Sequence, residues 1–253
     1  MLSHPWIAFG LELLAPDRCI GCARSRRSRR APCGLCLPCF SRLRRPPQPA
    51  CRHCARPIAG LAGLAAPQCG RCRLDPPPFD RLVALWEYRP PLDRVMHGLK
   101  FHQLDYLGPE LAAVAVDRLA ADFADVDLVV PVPLHWRRRW WRGFNQAERI
   151  AAPLARQLAI PLAQPLVRRV ATQAQARLPR SARLRGPRRA FHLADPGPVA
   201  GRRILLVDDV TTTGATLRAA ATALQAGGAT SVSVFAIGLT PPPGSRSACP
   251  RER

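Results

Sequence analysis

The chain has 253 residues and a formal charge of +21, from 38 Lys and Arg against 17 Asp and Glu. That length accommodates one full α/β domain and a smaller unit, and no run approaches the roughly 18 consecutive apolar residues of a membrane span. The charge suits polyanions, nucleic acid first among them. It has a second reading: Lys100 is the only lysine, and such an excess of arginine, alanine and proline is also what GC-rich coding bias produces.

Trp6, Phe9, Leu13 and Leu14 fall on one helical face, so a short amphipathic helix is expected over residues 1–15. The segment lacks the basic start and small-residue cleavage site of a secretory signal, which makes a cytoplasmic chain the expectation. There thiols stay reduced, favouring metal over disulfide for the ten cysteines.

Residues 16–75 are expected as a double zinc ribbon. Eight cysteines form four Cys-x-x-Cys pairs: Cys19/Cys22, Cys36/Cys39, Cys51/Cys54 and Cys69/Cys72. The last two pairs repeat the first two at an offset of 32 to 33 residues. A two-residue spacing lets both sulfurs of a knuckle reach one ion, and two knuckles complete a tetrahedral four-thiolate site. The segment has few large apolar residues, so structural zinc would supply the missing folding free energy. The repeat favours Cys36/Cys39 over the overlapping Cys33/Cys36 pair, and spacing alone leaves a cross-braced pairing open. His53 lies inside a knuckle and is read as a spectator. Arg24 to Arg30 holds five arginines within seven residues, either a solvated arm or a phosphate-backbone contact. Cys249 stands alone in the tail, 241–253, expected to be flexible.

From Phe79 the texture becomes that of an α/β domain, expected over residues 79–240. Strands are expected over Phe79–Tyr88, Asp127–Val132, Arg202–Val207 and Ser231–Leu239. Helices are expected over Leu92–Phe101, Pro109–Phe123, Gln146–Leu158 and Thr216–Ala226. Alternating strands and helices imply a mostly parallel sheet covered on both faces, with ligands at the carboxyl ends of the strands.

One such end carries distinctive chemistry. The apolar run Arg203–Val207 leads into Asp208-Asp209, then a threonine-rich loop closed by Gly214, then a helix. Backbone N–H groups of the loop and of the helix start make an anion cradle. Thr211, Thr212, Thr213 and Thr216 add hydroxyl donors, and Gly214 permits close backbone approach. Ionised Asp208 and Asp209 only accept, which suits two vicinal hydroxyls or a metal ion. Such a loop is built to hold a ribose 5-phosphate. The plain structural alternative is a strand–turn–helix with an aspartate cap.

Leu205 to Thr216 resembles the phosphoribosyl pyrophosphate (PRPP) motif of type I phosphoribosyltransferases. The resemblance implies that Asp208 and Asp209 bind ribose hydroxyls while Thr211 to Thr216 hold the 5-phosphate, with Mg²⁺ accompanying PRPP. Val130-Pro131-Val132-Pro133-Leu134, followed by Arg142-Gly143-Phe144-Asn145-Gln146, resembles the ComF family, the amidophosphoribosyltransferase-like competence proteins. Leu99-Lys100-Phe101 fits that family, and so does Gln175–Phe191 with Leu178, Arg180, Arg183 and Arg189-Ala190-Phe191. With the cysteine-rich start, the resemblance covers roughly residues 12 to 240. Gly186-Pro187 departs from it, standing where Asn and a non-proline are expected. Pro131, Val132, Pro133, Arg142, Gly143, Asn145 and Gln146 become pyrophosphate-loop candidates, although Asn145 and Gln146 equally suit a helix cap.

Between these runs Arg137, Arg138 and Arg139 interleave with Trp136, Trp140 and Trp141. Arginine forks fit phosphate oxygens and indoles stack bases, so this segment is a candidate contact for single-stranded DNA; packed tryptophans in a solvated basic loop are the alternative. The resemblance implies a PRPP-binding protein acting in uptake of single-stranded DNA for natural transformation, with DNA-uptake proteins as partners. Two alternatives stand beside it: an active transferase of nucleotide or amide metabolism, and a PRPP-sensing regulator.

Overall fold

In the computed structural model, which describes residues 18–26, 29–58, 67–101, 104–168 and 190–242, four parallel strands form the central sheet. These are β1 (Arg81–Glu87), β2 (Leu128–Pro131), β5 (Arg203–Thr211) and β6 (Ser231–Leu239), in the order β1-β6-β5-β2. Two short strands, β3 (Leu166–Arg168) and β4 (Phe191–Leu193), form a separate antiparallel pair. The helices are α1 (Leu37–Phe40), α2 (Gly70–Leu74), α3 (Leu92–Phe101), α4 (Leu107–Asp122), α5 (Trp136–Arg142), α6 (Gln146–Gln157) and α7 (Ala215–Ala226). The expected N-terminal helix, the Gln175–Arg189 stretch and the tail with Cys249 lie outside the described residues.

Why these segments are strands is visible in their burial. Ile204, Leu205, Leu206 and Val207 are all fully buried, so neither face of this part of β5 meets water. Continuous apolar runs of this kind belong to parallel sheets covered on both sides. Leu205 and Val207 pack with α3, α4 and α6 on one side, with Leu99, Leu111 and Leu154 among their neighbours. Ile204 and Leu206 pack on the other side with Leu217, Ala220 and Leu224 of α7. The alternation is the two-residue period of a strand.

The cysteine-rich segment is packed against this sheet on both sides. Cys19, Leu35, Cys36 and Cys39 join the core shared with α3 and α4, and Gly34 N donates to Glu110 Oε2 at 3.1 Å. Arg94 donates to the Gly21 carbonyl. Further along, Leu82 N donates to the Arg52 carbonyl at 2.9 Å. Arg218 of α7 pairs with Asp75 at 2.6 Å, tying the end of the cysteine-rich segment to the α7 side.

Three expectations change. β5 does not stop at Val207 but continues to Thr211, so both aspartates are strand residues. The Arg/Trp segment is helix α5 rather than a loop, because His135 caps it and Gly143 ends it at φ 78°. Arg26 is not part of a solvated arm or a phosphate contact: it is buried, 4% exposed, and donates to the Ala31 carbonyl at 3.1 Å.

Helices α4 and α6 meet across Gly108, which is buried. A Cβ there would stand 2.3 Å from the Arg149 carbonyl oxygen, a backbone atom that cannot swing away. Gly108→Ala is therefore expected to cost about 1–3 kcal/mol, read as a lower urea midpoint.

Candidate functional site

The four Cys-x-x-Cys pairs assemble as two groups, Cys19/Cys22/Cys36/Cys39 and Cys51/Cys54/Cys69/Cys72. Within each group all four sulfurs lie within 4.8 Å of one another. Cys22 and Cys36 Sγ are 3.8 Å apart, and Cys54 and Cys69 Sγ are 3.7 Å apart. Four sulfurs placed tetrahedrally at a Zn–S bond length would be separated by about 3.8 Å, so each group could hold a metal ion such as zinc. The pairing is sequential, which resolves the cross-braced alternative. Burial pushes the pKa of the Cys19 thiol up, but N–H groups of Cys36, Cys22 and Gly21 outweigh it and bring the pKa down to about 7. Cys51 shows the same balance and is lowered to about 7. Cys33 is in neither group; it is fully buried, and burial with the nearby Glu110 charge raises its thiol above the ordinary range. His53 also stands apart, its Nδ1 3.3 Å from the Phe79 carbonyl oxygen.

At the carboxyl end of β5 the acids alternate across the strand. β2 pairs with β5 as far as Pro131 opposite Val207, so Asp208 is the first residue beyond that ladder. Asp209 Oδ2 meets Lys100 Nζ of α3 at 2.7 Å, with both side chains largely shielded. Burial and the neighbouring Asp209 charge push Asp208 up to about 8, with the Asp209 N–H, Lys100 and Arg168 opposing them. The other carboxylate oxygens are partly used: Asp208 Oδ1 accepts from Asp209 N at 2.9 Å, and Asp209 Oδ1 from Val210 N at 2.6 Å.

The loop beyond is open to a ligand. Thr211 is buried as the last strand residue, Thr212 and Thr213 are exposed, and Thr216 is half-buried in the first turn of α7. Gly214 caps that helix at φ 75°, where a side chain would be strained. Twelve residues of α7 direct the positive end of their dipole at the loop.

The β2 exit is more committed. Pro131 and Val132 are buried and Pro133 half-buried. Asn145 caps α6, accepting from Ala147 N at 3.2 Å and donating to the Val132 carbonyl at 3.0 Å. Gln146 is 1% exposed and accepts from Arg142 Nη1 at 3.1 Å. A Cβ at Gly143 would meet nothing within 4 Å, so its glycine serves the helix end. These residues set the shape of the exit, and Asn145 spends both polar atoms inside the protein.

Helix α5 presents the opposite character. Trp136, Trp140 and Trp141 are 60%, 86% and 70% exposed, with Arg137 and Arg139 exposed beside them and Arg138 on the same helix. Phe101 sits 6.1 Å from the Trp141 ring, and the Arg142 guanidinium lies 4.8 Å over Phe101. Residue 101 follows Lys100, so the aromatic surface joins the acid pair through one step of α3. Sequence reasoning noted Lys100 without foreseeing its contact with Asp209. It missed Arg168, whose charge reaches Asp208 from β3.

The phosphoribosyl transferase domain family matches residues 145–238. Over 175 residues the chain is 36% identical to the DNA utilization protein YhgH of Escherichia coli K12, covering 67% of this chain and 76% of that protein. It is 31% identical over 179 residues to competence protein F of Haemophilus influenzae, covering 68% and 78% respectively. The chain belongs to the ComF family. Among solved structures, a glutamine PRPP amidotransferase from B. subtilis superposes with a TM-score of 0.38 at 24% identity, over 56% of this chain and 30% of that one. The ComF chain joins a phosphoribosyltransferase-like parallel sheet to two four-cysteine groups, and no helix among its described residues is long and apolar enough to cross a membrane.

Two outcomes follow from this geometry. Purified protein should contain about two zinc ions per chain by metal analysis, and Cys36→Ser with Cys39→Ser should leave about one; loss of both ions would show that the groups are not separate sites. For Asp208, the folded protein holds its proton more tightly than the unfolded chain, whose carboxyl titrates near 4. Stability contributed by this group is therefore present below about pH 4 and is lost as pH rises toward about 8. Asp208→Asn should flatten that slope and raise stability at pH 8 by more than about 1 kcal/mol, measured by urea unfolding across the pH range.

Proposed function

We propose that this ComF chain binds PRPP, or another 5-phosphoribosyl group, and acts in handling single-stranded DNA. The observation that carries the reading is the Asp209–Lys100–Phe101–Trp141 connection, which sets an exposed tryptophan and arginine surface beside a phosphoribose-type loop. The relatives support the DNA half of it: one is named for DNA utilization and another for competence. The matching family model supports the ribosyl half.

In this reading Thr212, Thr213, Gly214 and Thr216 hold the 5-phosphate with their hydroxyls and backbone N–H groups, and Thr211 fixes the strand end. Asp208 and Asp209 take the two ribose hydroxyls, Asp208 as donor or acceptor according to its protonation. Mg²⁺ fits here because it is held by one or two carboxylates plus ligand phosphates, and it would shield pyrophosphate charge. Pro131, Val132 and Pro133 frame the space for the pyrophosphate, with Arg142, Gly143, Asn145 and Gln146 holding that frame in shape. Trp140 and Trp141 stack bases while Arg137, Arg138 and Arg139 contact phosphates. Zinc bound at the cysteine groups supplies folding free energy to the segment that carries them. Nothing in this arrangement requires a general base, so binding and transfer are separated by assay.

Calorimetry with Mg²⁺-PRPP, then with a short single strand, tests both halves. Asp208→Asn with Asp209→Asn should weaken PRPP binding at least tenfold and spare the strand. Trp140→Ala with Trp141→Ala should weaken the strand by about 1–3 kcal/mol per lost stack and spare PRPP. Release of pyrophosphate with a purine, pyrimidine or amide acceptor would instead establish a transferase of nucleotide or amide metabolism. A partner protein whose affinity changes with PRPP occupancy would establish a regulator.

A further inference from the structure

The threonine loop does not face open solvent on all sides. Between it and the second cysteine group lies a partly open crevice whose wall includes Cys54 and Cys72 at one end and Thr211–Gly214 at the other. The metal site and the phosphate loop therefore share one cavity, although some 140 residues of chain separate them.

Three arginines line the crevice: Arg56, Arg71 and Arg218. Their roles differ. Arg218 is committed to structure, pairing with Asp75 at 2.6 Å and donating to the carbonyls of Asp75 and Pro76 at 3.2 to 3.4 Å. It clamps the linker that holds the cysteine-rich segment over α7. Arg56 is half-buried and Arg71 exposed, and among the described residues neither is paired with a carboxylate. The hydrogen bonds to the Cys51 and Cys54 sulfurs come from backbone N–H groups, of Cys69, Cys54 and His53 to the first and of Arg56 to the second, so they leave the arginine side chains uncommitted. Two arginines thus line a crevice whose far end is the threonine loop, and guanidinium forks bind phosphate bidentately.

The rest of the lining narrows the ligand. Phe79, Leu82 and Leu239 form an apolar stretch of the wall. A bare polyphosphate crossing it would lose hydration with nothing in return. A sugar–phosphate unit would place deoxyribose carbons on the apolar stretch and its phosphate on the arginines. We propose that this crevice is a second phosphate subsite, taking the nucleotide on the 5′ side of the phosphate held by the threonine loop. The loop then grips an internal phosphate of a strand, and Arg56 and Arg71 grip the next one. This rests on the reading of the loop as a phosphoribose holder.

The probes are thymidine 5′-monophosphate, 5′-phosphorylated dithymidine and thymidine 5′-triphosphate, each titrated calorimetrically into the zinc-loaded protein. The dinucleotide should bind about tenfold or more tighter than the monophosphate, as expected for a charge-assisted phosphate contact. Arg56→Ala with Arg71→Ala should remove that advantage, with zinc content and thermal midpoint unchanged. Arg71→Glu alone, at an exposed position, should reverse it. Equal affinity for the dinucleotide and monophosphate, or an advantage that survives both variants, overturns the subsite. A triphosphate that gains as much as the dinucleotide, and loses it in the variants, overturns the strand assignment in favour of a 5′-polyphosphate. An arginine-dependent dinucleotide advantage without any binding of PRPP supports the crevice and overturns the loop reading instead. Failure of every probe overturns both.

Discussion

Two adjacent carboxylates in the interior strand of a parallel sheet set the terms for everything built around the carboxyl end of β5. Side chains alternate across a strand, so one cation cannot serve both acids. Lys100 pairs directly with Asp209 from α3, while at Asp208 burial and the Asp209 charge outweigh the more distant Lys100 and Arg168 and raise its pKa. A half-buried acid pair of this kind is costly for the fold and useful to a ligand. Vicinal hydroxyls or a hydrated cation can supply the partners that the protein withholds. Lys100 also fixes the end of α3, and with it the position of Phe101 against Trp141 and Arg142.

The cysteine-rich segment solves a different problem. Its residues contribute Leu35 and a few small side chains to the core, far too little to fold by burial alone. Its two four-cysteine groups could each close it locally around a metal ion, and the contacts of Gly34 with Glu110 and of Asp75 with Arg218 fasten it to opposite faces of the sheet. The consequence is functional as well as structural. The second cysteine group becomes part of the wall around the threonine loop, so a metal ion held there would also shape the space beside the loop.

Much of this was legible in the residues. Period and apolar runs place the four sheet strands and the long helices within a few positions, because burial on both faces leaves a strong local signal. The repeat spacing picks out the eight cysteines of the two groups, but only three-dimensional proximity decides that the knuckles pair in sequence. The aspartates were read as lying past the strand, since two charges look like a stop; the ladder to β6 carries them through to Thr211. Arg26 resembled its neighbours in a charge run, and nothing local marks the one arginine that turns inward. Contacts such as Lys100 with Asp209 join residues about a hundred positions apart. No pattern in one sequence reports them.

The central claim is that the Asp208–Thr216 segment holds a ribose 5-phosphate. A titration of isotope-labelled protein with ribose 5-phosphate, followed by amide NMR, tests it at the residues concerned. The account predicts saturable shifts of the Thr212, Thr213, Gly214 and Thr216 amides, with Asp208 and Asp209 following. Saturable shifts confined to α5 or to the cysteine groups, with the loop amides unmoved, would contradict it.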